Sequence, residues 1–404
     1  MENKNCFLEI DFDRLPCQTN IYGVTKIAPT ATNPSSKLLV ALANGKIYMC
    51  DHQEHSSNIQ KGSKEVPFTY IPPKCHVISI DSFNCGARGL IIGVTFAEES
   101  GENFLNIYCN YGDNVPEFHE RDLENLAYTF KSFALTFTPF QLTHRKVKRC
   151  NDDSSRSVFI LLGDDKFHVY SQISDDVEFI EDEIKDYFVE LVVCESVPTY
   201  LEIYAVDQTT RVTAVGYANG KICLFLVDCT TNSIIKSWKI QHSSIISQLV
   251  LYPDNRNQKN EYANFMLVVA STREEAVVYS DVLNLGFEKP VILRSSGDGD
   301  CVTCCAVGRD NCDGTIEIVI GTYDQRILLY KNFSTPIVEP SWVKHFAHPV
   351  LKTELCDITG DYVTELIVFT TKGIHILQRN LHNVLNVYKN VLKNEIIDAK
   401  KRLK

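Results

Sequence analysis

Two acidic loops are the places where this chain could do chemistry. In DITGDYVTE, Asp357, Thr359, Asp361 and Glu365 place oxygen side chains at intervals ahead of an apolar run. Oxygen ligands at alternate positions, with a glycine for the sharp turn, can wrap a hard cation such as calcium. Here Tyr362 stands where the glycine belongs. In RDNCDGTIE, Asn311, Asp313, Gly314 and Glu317 fit the pattern, but Arg309 fills the first ligand position. Turns held by carboxylate-to-backbone hydrogen bonds account for both loops as well. No cofactor is therefore expected, and the Asp357 loop is the better of two weak calcium candidates.

Cys301, Cys304, Cys305 and Cys312 could supply half of a zinc site, but no second cysteine or histidine pair lies nearby to complete four ligands. VTCCAV reads instead as a strand that turns neighbouring thiols to opposite faces. The fifteen cysteines are scattered through apolar runs, and the N-terminus lacks the basic and apolar regions of a secretory signal. The cysteines read as buried thiols of a reducing, cytoplasmic compartment. There is no G-x-S-x-G elbow, P-loop, H-E-x-x-H or dinucleotide fingerprint, which points away from an enzyme. A net charge of −11 argues against general nucleic-acid binding. No apolar run is long enough for a membrane span.

The elements that must position these residues repeat. A pair of apolar runs around a short turn occurs seven times, at Leu38–Cys50, Gly89–Tyr111, Ser157–Gln172, Thr213–Asp228, Phe265–Asp281, Ile316–Asn332 and Glu365–Asn380. The equivalent positions are Ala41, Gly93, Leu161, Gly216, Ala270, Gly321 and Phe369. Each pair reads as a β-hairpin. Their spacing of about fifty residues matches one four-stranded propeller blade. Further β-rich runs such as His76–Ile80, Ile245–Leu251, Val302–Val307 and Val350–Cys356 are expected as inner strands. The pattern predicts an all-β, seven-bladed β-propeller over 1–380, with Phe7–Phe12 as a strand that closes the ring. A β-sandwich pair plus a smaller domain is the alternative architecture.

From 381 to 404 the period changes to that of an amphipathic helix. Its apolar face carries Leu381, Leu385, Tyr388, Leu392 and Ile396, and serves equally for docking on the ring or for binding a partner. Two charged stretches lie mid-chain. The acidic run from Asp175 to Glu190 reads as a solvated loop or short exposed helix, and the basic cluster His144–Arg149 as a loop tip.

Both acidic loops lead directly into a repeat strand, a placement that resembles the FG-GAP repeats of integrin-α-like propellers. NIYGV, FTYIPPKCHVISIDSFN, RGLIIGVTF, FLNIYCNY, LTFTPFQLTH and KGIHILQ occur in order from Asn20 to Gln378. Together they resemble the kaptin family. The resemblance implies a non-enzymatic scaffold subunit of KICSTOR, a complex on the lysosomal surface. That complex recruits the GATOR GTPase-activating complex and so restrains mTOR complex 1 when amino acids or glucose are short. The partners implied are the other KICSTOR subunits, above all an FG-GAP repeat propeller, with GATOR engaged indirectly. The family's alternative implication is an actin-associated cytoskeletal protein. No catalytic residue is carried over.

Overall fold

The computed structural model describes residues 6–29, 35–52, 62–68, 71, 74–85, 89–109, 130–149, 155–172, 178–254, 264–310, 314–380, 385 and 389. Their strands form seven sheets, six of four strands and one of five, antiparallel except for one parallel pair in the five-stranded sheet. The inner strands are Val24–Ile27, Cys75–Asn84, Pro139–Lys148, Pro198–Ala205, Ile246–Pro253, Val302–Arg309 and Val350–Cys356. Each of these touches the next from the first blade to the seventh. The fold is a seven-bladed β-propeller, with each repeated hairpin as the second and third strands of a blade.

Burial explains why the hairpins read as apolar at nearly every position. Blades pack face to face, so the second strand has a neighbour on both sides. Lys37–Ala41 and Glu365–Thr370 are buried at every residue. The outer strand Ser233–Gln241 is exposed along most of its length. Seven apolar clusters fill the seven gaps between blades; one of them joins Leu38 and Val40 of the first blade to Ile367 and Phe369 of the last. The remaining six likewise each bridge two neighbouring blades.

Glycine recurs at the equivalent hairpin position because the next blade comes too close for a side chain. A Cβ on Gly216 would sit 2.5 Å from Ile246, and one on Gly321 would sit 2.9 Å from Val350. Threonines tie the same points. Thr199 Oγ1 is bonded to the carbonyls of Gly216 and Ile246, and Thr303 Oγ1 to those of Gly321 and Val350. A single hydroxyl has one proton, so each threonine donates to one of the two carbonyls at a time.

The ring closes through the N-terminus. Phe7–Arg14 pairs antiparallel with Gly373–Arg379 and supplies the outer strand of the seventh blade. Its register shifts between Glu9 and Asp11. Phe7 is 3% exposed, and its ring lies 5.6 Å from Trp342 and 4.9 Å from the Arg379 guanidinium. The fifth blade gains its extra strand from Ile337–Val338, which pairs parallel to Pro290–Leu293. The helix expected over 381–404 falls outside the described residues except for Leu385 and Lys389, both exposed.

Two charged stretches lie differently from their sequence reading. His144 to Lys148 of the basic cluster belong to the inner strand of the third blade rather than to a loop tip. That strand borders the central channel, where polar side chains are tolerated, so its alternation imitates a loop. The end of the acidic run is not solvated: Glu190 is 3% exposed, and Tyr187 and Phe188 are buried beside it.

Candidate functional site

The structure gathers Asp357, Asp361 and Glu365, with one carboxylate oxygen from each within 4.8 Å of the others. Glu365 opens the second strand of the last blade and is fully buried, whereas Asp361 is exposed. Every one of the six carboxylate oxygens accepts a hydrogen bond from the chain. Asp357 takes the backbone N–H groups of Gly360 at 2.6 Å and Tyr362 at 2.7 Å. Asp361 takes Val363 N at 2.8 Å and Gln378 Nε2 at 3.1 Å. Glu365 takes Ile358 N at 3.0 Å, and the Thr359 hydroxyl donates to it at 3.3 Å. Tyr362 adopts a left-handed φ of 64°, the conformation that a glycine would take without strain.

Burial, together with Asp361 and Asp357, pushes the Glu365 carboxyl up to about 7. An acid raised in this way holds its proton more firmly folded than unfolded. Its contribution is complete below the ordinary carboxylate range and is lost as pH rises through about 7. Glu365→Gln is therefore expected to leave stability unchanged at acid pH and to raise it by ~2 kcal/mol above neutrality. Urea midpoints in chelator, below and above that range, check this. If calcium instead raises the wild-type midpoint but not that of Glu365→Gln, the loop is a cation site.

The other acidic loop has settled its charge differently. Asn311, Cys312 and Asp313 lie outside the described residues. Glu317 occupies the position in its blade that Glu365 occupies in the next and is also fully buried. Arg379 Nη2 lies 2.5 Å from Glu317 Oε2, and Lys331 Nζ lies 2.5 Å from Oε1. Lys331 also reaches Asp310 at 2.9 Å. Two cations thus face two carboxylates, and Arg379 couples this cluster to the closing strand through Phe7.

Cys304 and Cys305 are buried in an inner strand, and Cys301 is partly exposed. All three are free thiols, and burial pushes each of them up. Of the apolar helix face, Leu381, Tyr388, Leu392 and Ile396 lie outside the described residues, while Leu385 is 56% exposed.

Sequence reasoning missed the groups that line the ring's axis. His144 Nδ1 lies 2.7 Å from Asp81 Oδ2, and Thr25 Oγ1 donates to Asp81 at 3.1 Å. Arg145 donates to the carbonyls of Ile203 and His144. Glu202, Lys352 and Glu354 border the same cavity. Part of the signal was present: Lys352-x-Glu354 puts polar residues at alternate positions of a run read as an inner strand, whereas the run holding Tyr200 and Glu202 was not read as a strand.

The sequence profile of the family described as KICSTOR complex protein kaptin matches residues 7–389. A Mus musculus protein of that description is 32% identical over 410 residues, covering 97% of this chain and 93% of its own. The chain belongs to the kaptin family. Among solved structures, BBS1N in complex with ARL6DN superposes with a TM-score of 0.58 at 10% identity, over 93% of this kaptin-family chain and 97% of that one. Sqt1 of Saccharomyces cerevisiae gives a TM-score of 0.55 at 11% identity, covering 92% and 98%. Raptor of Chaetomium thermophilum gives 0.53 at 10% identity, over 93% of this chain and 29% of its own. At these identities the likeness is one of fold alone. No helix among the described residues is long and apolar enough to cross a membrane.

Proposed function

We propose that this kaptin-family chain is a non-enzymatic scaffold subunit of a KICSTOR complex. The observation that carries the reading is the kaptin relative matched along nearly the whole of both chains. A propeller suits such work because rim loops and blade edges offer several contact surfaces on one rigid body. Bound to the other subunits, and most directly to an FG-GAP repeat propeller, it helps recruit GATOR to the lysosome. It thereby restrains mTOR complex 1 when amino acids or glucose are short. Cells without the chain should keep mTOR complex 1 active through amino-acid withdrawal, and restoring the chain should restore the shut-off. Normal shut-off in its absence would contradict the proposal.

The segment 381–404 is proposed as a partner-binding helix through Leu381, Leu385, Tyr388, Leu392 and Ile396, and the exposure of Leu385 supports this. Leu385→Asp with Leu392→Asp should release a KICSTOR subunit in a pull-down and leave the thermal unfolding of the ring nearly unchanged. A large fall in stability would instead make the helix part of the ring's packing. The family's other implication, actin association, is tested by cosedimentation with filaments at low and raised salt. Weak charge contacts are lost as salt is raised, whereas a specific site persists.

A further inference from the structure

A cavity of about 530 Å³ opens on the ring axis between the inner strands of the first, second, third, fourth and seventh blades. That size falls within the ~300–1,000 Å³ of small-molecule sites. Two inner strands present matching pairs to it. Tyr200 pairs with Gly216 and Glu202 with Ala214; Lys352 pairs with Phe369 and Glu354 with Ile367. Gly216 and Phe369 are the equivalent positions of their blades. Tyr200 and Lys352 therefore share one layer of the ring, and Glu202 and Glu354 share the next. Residues two apart on a strand point to the same side, so each strand offers a donor in one layer and a carboxylate in the other.

These four groups are not consumed by the fold. The Lys352 side chain is nine-tenths buried, yet among the described residues its charged partner is Glu354 at 3.7 Å, beyond hydrogen-bond length. Glu202 meets Arg145 Nη2 at 3.9 Å, while two other nitrogens of Arg145 are bonded to carbonyls. Burial pushes Glu202 up, with Arg145 and Lys352 opposing. Burial works against the charge on Lys352, and the Glu354 carboxylate opposes it and favours the ammonium. Glu202 and Glu354 keep 27% and 29% of their side-chain surface open to the cavity, so Lys352 is the buried charge, and a ligand that partnered it would recover part of the cost of its burial. An anion alone would meet the carboxylate layer, and a cation alone would meet Lys352.

We infer that this cavity binds a small zwitterion, its anionic group on Lys352 and Tyr200 and its ammonium between Glu202 and Glu354. The site is independent of the scaffold reading above, because it concerns the channel rather than the outer surfaces of the ring. Calorimetric titration of the full-length protein with β-alanine and taurine tests it, with succinate and putrescine as probes that carry one kind of charge only. Saturable binding at millimolar concentration is expected for the zwitterions and not for the other two. Lys352→Met should weaken it about tenfold or more, the loss expected for one charge-assisted contact. Lys46→Met, at an exposed surface pair, should not. If Lys352→Met does not fold, Glu202→Gln provides the same comparison without loss of volume. Equal binding of all four probes, binding unchanged in these variants, or no binding of either zwitterion would overturn the proposal.

Discussion

Arg211→Ala is expected to lower folding stability by about 3–5 kcal/mol, the cost of breaking a buried ion pair and leaving one charge behind. Arg211 Nε and Nη2 each donate to Glu190 at 2.8 Å, one to each carboxylate oxygen. Thr213 Oγ1 adds a third bond to that carboxylate at 2.7 Å. The Arg211 side chain is 5% exposed and that of Glu190 is not exposed at all. Arg211 also donates to Tyr187 O at 2.9 Å and lies 4.9 Å from the Phe188 ring. It thus pins the connection between the third and fourth blades. Without the arginine, the carboxylate keeps Thr213 but faces no cation in a site closed to water. The double variant Glu190→Met with Arg211→Met removes both charges, so it should recover at least half of the loss. Urea midpoints of the wild type, Arg211→Met, Glu190→Met and the double variant complete the cycle. A double variant no more stable than Arg211→Ala would mean that the pair does more than cancel its own burial.

Phe7→Ala should cost about 3–4 kcal/mol, the penalty for emptying a phenylalanine site in a packed core. The ring stands between Trp342 of the sixth blade and the Arg379 guanidinium, so it seals the gap at which the chain's two ends meet. Loss of the ring leaves a cavity there and takes the apolar neighbour from Arg379. The strand itself stays paired to Gly373–Arg379 through its backbone, so the fold should survive. Proteolysis should then cut first at the N-terminus, because the closing strand opens before the blades do. A midpoint unchanged from wild type would show that the strand's hydrogen bonds alone close the ring.

The hairpins were legible because blade packing demands apolar residues on both faces of a strand, which leaves runs such as LIIGV and EIVIG in the sequence. The equivalent glycines were legible for a related reason, since Ile246 and Val350 crowd the backbone at Gly216 and Gly321. The channel was not legible. Its strands face water on one side, so HRKVK at His144–Lys148 looks like a loop although it forms a strand. The pairing of Tyr200 with Lys352, and of Glu202 with Glu354, across the ring needed the strand register. Glu190 was hidden by its company: it ends a run of acids, and its partner Arg211 lies twenty-one residues further on. The two acidic loops read alike, but only the placement of Lys331 and Arg379 in the folded sheets shows why one holds cations of its own and the other does not.

The scaffold reading is tested most directly by the composition of the native complex. Affinity purification of the full-length chain from its own cells, quantified by mass spectrometry, should recover the other KICSTOR subunits in near-equal amounts, the FG-GAP repeat propeller among them. Recovery of actin without those subunits would contradict the account.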